Sequence, residues 1–585
     1  MGARTARALA VGAGVALLAG CGGSGGGPGE AVGTDGASRT SRPSSASSAD
    51  AAPPSTSASA RSSRPADAGS SAGPASAPSR TATDRAVEGM GVEELAGQVI
   101  VAGYEGTSPR AAAELVEDGF GGVIVFAANV PEEVTALRET TRAVQAAQER
   151  SGRDWPAVVG VDQEGGPVQR LGEPVTQLPA GMAHGAAADP ALSRELAAHS
   201  GAQLRALGVT MVLAPDADVT AGPQDPTIGI RSPGSDPAAV AETAGALAAG
   251  YREAGIVPVA KHLPGHGGVT TDSHEGLPVS DAGVAALRER DLLPFTELAG
   301  QDVPVMVGHI ALTALDDAPA TVSAETLGAL REELPADTLV VSDALNMGAL
   351  DAVEEESGTD RSVAALAAGV DLLLMPPDAS AARAAIVEAV EAGELPEERL
   401  REAAARVVAT QQEVSEPPSE AVLREGEGLA GRLAAASLTS LGPTCSPDVL
   451  DPGDAVRVVG GTRAQRQGLG EALAGQGLEV GSGGGSTVEI VAGGEYAAGR
   501  VEDGRMPGEE ASGQEPSPAP SHTADVAVAL DVPYGLAGSD APVRLATFGD
   551  TPATLDHLAA ALVDGVEPLG RLPVEVDGAT DCSSR

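Results

Sequence analysis

The sequence predicts an α/β protein built as a (β/α)8 barrel followed by a smaller α/β sandwich domain, and three observations carry that expectation. Eight short apolar runs occupy residues 98–102, 123–127, 157–161, 210–214, 257–261, 304–308, 338–342 and 371–375, each pair leaving room for a helix. The stretches between them, such as 131–149, 238–254 and 360–369, are rich in Ala, Leu and Glu at helical spacing. Gly119, Gly208, Gly255 and Gly369 stand where helix C-caps belong. Aromatic residues make up only 2% of the chain beside 42% hydrophobic residues, which favours α/β layering over an all-β sandwich. Continuous apolar strands alternating with helices form a parallel sheet covered on both faces. Eight such units close most simply as a barrel, with an open doubly wound sheet as the alternative.

Each segment has its own reason. Arg4 and Arg7 precede an apolar run at 11–18 that ends in Leu17-Leu18-Ala19-Gly20-Cys21. The run is too short for an ordinary membrane span, and its end resembles a bacterial lipobox, cut before Cys21 and acylated on the thiol. A plain signal peptide with an incidental Cys is the alternative. An exported protein, lipid-anchored to the outer face of the cell membrane, is therefore expected. Residues 22–86 hold Val32 as their single large apolar residue and cannot bury a core, so they read as a disordered tether. The barrel is expected over 87–412 and a short linker over 413–420. The second domain is expected over 421–585, with apolar runs at 456–459, 488–491, 526–530 and 543–548 and a disordered Pro/Glu/Ser-rich insertion at 499–522. Residues 460–477 are Gly-rich behind a strand but lack the GxGxxG spacing of a nucleotide site. Cys445 and Cys582 lie too far apart for a zinc knuckle. In an exported chain they can pair, two buried free thiols being the alternative.

Lys and Arg number 37 against 82 Asp and Glu, a net charge of −45. No basic cluster exists outside the first seven residues, so binding to nucleic acid is excluded as a function. Polar residues instead gather just after the apolar runs, where a barrel places its active site. Asp162-Gln163-Glu164-Gly165-Gly166 follows the third run, and Asp216 and Asp218 follow the fourth. The fifth delivers Lys261 and His262, then His266, Asp272 and His274. The sixth ends in Gly308-His309 and the seventh in Ser342-Asp343. Any one of these Asp residues could be a helix N-cap, but five strand ends aimed at one mouth form a constellation.

Lys261 is the only lysine of the chain, in a protein that uses Arg 36 times. A single retained ammonium at a strand end suggests a task for a compact, rotatable donor. Three of the eight histidines, His262, His266 and His274, fall within thirteen residues of Gly-rich loop, a density that core packing does not suggest. Two chemistries compete for them. His262, His266, Asp272, His274 and Asp343 could ligate a divalent ion, or the same groups could perform acid/base and nucleophilic work on a glycoside. Leu263-Pro264-Gly265 between the first two histidines prevents them from sharing a helix face, and Gly265, Gly267 and Gly268 suggest a mobile loop rather than a ligand cage. Neither a metal nor a cofactor is expected.

These stretches resemble the glycoside hydrolase family 3 β-N-acetylglucosaminidases. The resemblance rests on KHLPGHGGVTTDSH at 261–274, VDQEGGPVQRL at 161–171, IGIRS at 228–232, VMVGHI at 305–310 and VVSDALNMGAL at 340–350, and it spans roughly 90–410. Pro167 stands where the family often has Arg, Leu263 where Phe is usual, and Asp225 where Asn is frequent. The resemblance implies that Asp343 is the nucleophile and that His274, paired with Asp272, is the acid/base. It further implies that Asp162, Arg231, Lys261 and His262 hold the sugar hydroxyls. It also implies an exo-acting retaining enzyme for β-linked N-acetylglucosamine, acting on peptidoglycan-derived saccharides. A monomer is expected, with the membrane as partner only through the lipid.

Overall fold

Short, wholly buried apolar strands set the architecture. The computed structural model describes residues 85–225, 227–273, 276–351, 353, 358–424, 428–442, 445–492 and 523–582, all within a single unit from Ala75 to Arg585. The expected signal, Cys21, the tether up to residue 84, His274 and the insertion at 499–522 lie outside the described residues, whereas 85–86, expected as the tether's end, are helical. Eight strands fall in the eight apolar runs: β1 (Ile100–Ala102), β2 (Gly122–Val125), β3 (Val158–Val161), β4 (Met211–Val212), β5 (Val257–Pro258, resuming as Ala260–Leu263), β6 (Val305–Val307), β7 (Val340–Ser342) and β8 (Leu373–Leu374). Every pairing among them is parallel. β8, β1, β2, β3, β4 and the first piece of β5 form a six-stranded sheet, and the second piece of β5 with β6 and β7 forms a three-stranded one. Single parallel bridges, Asp216 with Lys261 and Val341 with Leu372, link the two.

The fifth strand runs two residues beyond its apolar run, through Lys261 and His262 to Leu263, while Gln98 belongs to the preceding helix, Val92–Gln98. Helices follow the strands as the pattern suggests, among them Leu137–Arg150, Pro190–Ala206, Pro237–Glu253 and Arg361–Ala368. Gly119, Gly208, Gly255 and Gly369 all take positive φ, the backbone a Cβ disfavours at a helix C-terminus. Asp189, Asp236, Asp360 and Asp378 cap helices through side-chain oxygens. None of the N-caps of the described helices is Asp162, Asp216, Asp218 or Asp343.

On the opposite, N-terminal face of the sheet, Asp371 is fully buried and gathers three guanidinium groups. It accepts from Arg331, from Arg399 at 2.9 Å and from Arg406 at 3.0 Å, and from the Val340 amide at 3.0 Å. A buried carboxylate so satisfied ties two outer helices, Ala324–Arg331 and Glu397–Gln411, to the start of β8.

A second six-stranded sheet follows. Its members are β9 (Thr439–Leu441), β10 (Ala455–Gly460), β11 (Glu479–Val480), β12 (Ser486–Ile490), β13 (Val526–Ala529) and β14 (Val543–Ala546), ordered β9-β14-β13-β12-β10-β11. All pairs are parallel except β9 with β14. One face packs on helices Arg463–Gly475 and Pro552–Asp564 through Leu469, Leu473, Leu558 and Leu562. On the other side, Val532, Leu536 and Phe548, on the segments that follow strands β13 and β14, share a cluster with Leu178, Ile230 and Met182, the last on helix Gly181–Ala187. Cys445 and Cys582 form a disulfide, which sets aside the free-thiol alternative.

Candidate active site

Strand register brings the polar residues to one level. Leu263 of β5 pairs with Val307 of β6, which pairs with Ser342 of β7, so His262 and Asp343 lie within one residue of the same rung. On the other side Val125, Val161 and Val212 share a rung, and Asp162 is the next residue. Side chains at the C-terminal ends of parallel strands therefore converge on one opening.

Charge is densest between β3, β4 and β5. The Lys261 ammonium, with a side chain only 3% exposed, lies 2.7 Å from Asp162 Oδ1 and 2.6 Å from Glu164 Oε1. Arg231 forms a fork on Glu164, its Nε and Nη2 each donating at 2.9 Å, and lies 3.6 Å from Asp216. Burial alone would raise the Glu164 carboxyl, but the Arg231 and Lys261 charges outweigh it and hold it far below the usual range. Burial likewise opposes charge on Lys261, and Asp162 with Glu164 reverse that effect. Arg231 sits on the short turn Gly229–Arg231, which Asp225 organises by accepting from the amides of Thr227, Ile228 and Gly229 and from the Thr220 hydroxyl. Burial pushes the Asp225 carboxyl up to about 6.

Asp218 is the fork beneath His262 and His266. Its Oδ2 accepts from His262 Nδ1 at 2.7 Å and from the His262 amide at 3.2 Å, and its Oδ1 accepts from the His266 amide at 2.6 Å. With Nδ1 donating, His262 Nε2 is the acceptor that faces Arg231 Nη2 at 3.4 Å. Burial raises the Asp218 carboxyl, yet His262 and His266 more than compensate and lower it. Asp216 goes the other way. Burial first and the Asp218 charge second push it well above the carboxylate range, and its Oδ2 has no hydrogen-bond partner. Asp216, Asp218 and His262 bring ligand-type atoms within 4.8 Å of one another, but the oxygens of Asp218 are already spent on three N–H donors. This trio differs from the metal set considered from the sequence.

His266 corrects one expectation. The residue is 2% exposed, its Nε2 lies 3.3 Å from Ser273 Oγ, and burial lowers its pKa to about 4, so it is packed rather than presented by the loop. The glycines also have packing reasons. A Cβ on Gly267 would come 2.4 Å from the Val219 carbonyl, and one on Gly265, at φ +123°, 2.7 Å from Asp291 Cβ. Ser273, between Asp272 and His274, is buried, and its carbonyl accepts from the Ala349 amide at 3.3 Å. That contact docks the end of the described loop beside the turn that follows Asp343. The Asp343 amide donates to the Val307 carbonyl at 3.0 Å, and its Oδ1 accepts from the Ala344 amide at 2.8 Å. His309 donates from Nε2 to the Ala344 carbonyl at 3.0 Å and bonds Thr321 through Nδ1.

Four of the seven expected catalytic and sugar-binding residues, Asp162, Arg231, Lys261 and His262, form one connected network through Glu164 and Asp218. Asp343 lies at the same level across β6. Asp272 precedes the docked Ser273, and His274 falls outside the described residues. Glu164 and Asp218 were visible only as members of strand-end motifs. Arg170, on which no expectation rested, has its guanidinium 5.6 Å from the centroid of the Phe126 ring. Pro167 occupies the turn of the hairpin between Gln163–Gly165 and Val168–Gln169.

Paired cations and carboxylates at the C-terminal ends of parallel strands define an α/β enzyme suited to a polyhydroxylated substrate. The pattern described as the glycosyl hydrolase family 3 N terminal domain matches residues 92–410. The chain belongs to glycosyl hydrolase family 3 and is an O-glycosyl hydrolase. It is 39% identical over 288 residues to a Beta-hexosaminidase of Alkalilimnicola ehrlichii, covering 47% of this chain and 80% of that one. It is 35% identical over 271 residues to a Beta-hexosaminidase of Pseudomonas aeruginosa, covering 46% and 78%. A glycoside hydrolase family 3 β-N-acetylglucosaminidase from Paenibacillus sp. superposes with a TM-score of 0.69 at 27% identity, over 83% of this chain and 99% of that one.

Proposed function

We propose that the protein is an exo-acting retaining β-N-acetylglucosaminidase that hydrolyses β-N-acetylglucosaminides, peptidoglycan-derived saccharides among them, through a covalent glycosyl-enzyme. The observation that carries this reading is the network in which Arg231 and Lys261 are held by Glu164 and Asp162 at the level of Asp343. Its donors suit sugar hydroxyls, and the names of the relatives support the substrate class. Asp343 is the nucleophile. Retaining cleavage usually takes its proton from a second carboxyl group. Here that role goes to His274, whose imidazole can donate a proton near neutral pH, with Asp272 orienting it and stabilising its cation. Asp162, Arg231, Lys261 and His262 hold the sugar.

The reading extends to the whole chain. The parallel pairings from β1 to β8, returning to β1, are read as one closed (β/α)8 barrel over 87–412, followed by a linker at 413–420 and an α/β domain over 421–585. The protein works as a monomer, exported and lipid-anchored through Cys21. Cys21→Ser should release it from the membrane fraction without loss of turnover, and continued retention would refute the anchor.

The decisive assay compares aryl β-N-acetylglucosaminide with the corresponding β-glucoside and β-xyloside. Preference for the first is expected. Preference for either of the others would reassign the specificity, and no turnover of any would leave a sugar-binding lipoprotein. A slow fluorinated substrate should label the wild type at Asp343 and not label Asp343→Asn. An inverted product would refute the covalent route.

A further inference from the structure

Both halves of the Arg231–Glu164 pair rest on one apolar cluster to which the C-terminal sheet contributes. Beside Arg231, Ile230 is 3% exposed and packs in the same cluster as the fully buried Val532 and Leu536. A Cβ on the neighbouring Gly229 would lie 3.8 Å from Val532 Cγ1. Behind Glu164, the Gly166 amide donates to the Leu178 carbonyl at 2.8 Å, and Leu178 belongs to that cluster. A Cβ on Gly165 would come 2.4 Å from the Pro179 carbonyl, so this hairpin has no slack against the segment behind it. A separate brace joins the Ser235 amide to the Pro573 carbonyl at 3.1 Å.

Arg231 and Glu164 stand on a turn and a two-stranded hairpin, outside the main sheets. A bidentate ion pair of this kind keeps its geometry only if both supports are fixed. We infer that the C-terminal domain, acting through Val532 and Leu536 on the turn after strand Val526–Ala529, against Ile230 and Leu178, is a positioning element for substrate binding. It sets where the Arg231 guanidinium stands, and so governs affinity for the sugar rather than the chemical step. This inference rests on the proposed role of Arg231 in holding the substrate.

The test sets Val532→Ala against Leu473→Ala. Leu473 is equally buried, but in the cluster between the C-terminal sheet and its own helices, away from the site. With aryl β-N-acetylglucosaminide, Val532→Ala should raise KM about ten-fold with kcat changed by less than about three-fold, whereas Leu473→Ala should lower the Tm and leave KM unchanged. Val532→Ile should restore KM. Hydrogen exchange of the amides at 227–235 should accelerate in Val532→Ala and not in Leu473→Ala, a readout that needs no substrate. Should Val532→Ala fail to fold, Leu536→Val makes a smaller cut in the same contact. Unchanged KM and exchange in a folded variant, or the same changes in Leu473→Ala, would overturn the inference. A wild type inactive on the aryl substrate would refute the functional reading alone, and exchange would then decide the positioning role.

Discussion

Replacing Asp218 by Asn removes one charge and one of two acceptor oxygens from a carboxylate that serves three N–H donors at 2.7, 3.2 and 2.6 Å. If the amide oxygen turns toward His262, the new NH2 faces the His266 amide, donor against donor. If it turns the other way, His262 loses its Nδ1 acceptor. Shifting that ring proton to Nε2 then points it at Arg231 Nη2, 3.4 Å away, again donor against donor. Either arrangement loses a charge-assisted bond worth about 1.5–3 kcal/mol and leaves a buried donor unsatisfied at about 1–3 kcal/mol. Asp218→Asn should therefore unfold in urea at a stability about 3–5 kcal/mol below wild type at pH 7. Its kcat/KM should drop about 100-fold as the His262 ring loses its orientation. Asp216→Asn is the contrasting case. Burial and the Asp218 charge already favour its protonated form, and only Oδ1 accepts a bond, from the Asp218 amide. That variant should stay within about 1 kcal/mol of wild type or exceed it. Equal losses in both variants, or an Asp218→Asn protein with wild-type stability and kinetics, would refute the reasoning.

Asp225 carries a pH signature. Its folded-state carboxyl is raised from 3.8 to about 6, so the folded protein binds this proton more tightly than the unfolded chain, and stability falls as pH rises between those values. The stability of wild type relative to Asp225→Asn should drop by up to about 3 kcal/mol between pH 4 and pH 7, and a flat difference in urea titrations would contradict this. Asp371→Asn strands three guanidinium groups far from the site. It should cost about 3–5 kcal/mol in chemical denaturation with unchanged kcat/KM per folded molecule, and a loss of specific activity instead would assign Asp371 a role in the site. His274→Ala should lose far more activity on disaccharides than on nitrophenyl glycosides, whose leaving group departs with little protonation, and Asp272→Ala should mimic it. Equal loss on both substrate classes would remove His274 from the proton-donor role.

The strands were legible because a parallel sheet buries both faces, and Val-rich runs such as 158–161 or 305–307 have few other uses. Thr439–Leu441 and Glu479–Val480 were not, since a three-residue antiparallel strand and a two-residue exposed edge strand carry almost no apolar contrast. Within the site, the strand-end rule marked Lys261, His262 and Asp343 correctly as neighbours in register. It could not rank the carboxylates around them. Glu164 takes the fork from Arg231, a residue 67 positions away, which is a tertiary fact. Asp216 and Asp218, two residues apart, are shifted in opposite directions because Asp218 meets His262 and His266 through three N–H donors, while burial first and the Asp218 charge second raise Asp216. His266 misled for a similar reason: a Gly-rich loop reads as exposed, yet its glycines permit close approach to Val219 and Asp291.

The solitary lysine makes the protein a natural single-site reporter. Apart from an amino terminus, Lys261 Nζ is the only aliphatic amine available to acylating reagents, and it lies buried between Asp162 and Glu164. With the amino terminus blocked beforehand, amine-directed crosslinkers and dyes should therefore mark a molecule only when the interior of the site opens. Incorporation of one further acyl group per chain, located on Lys261 by peptide mass, would then follow such openings, and a saccharide that seals the site should slow it in proportion to its occupancy.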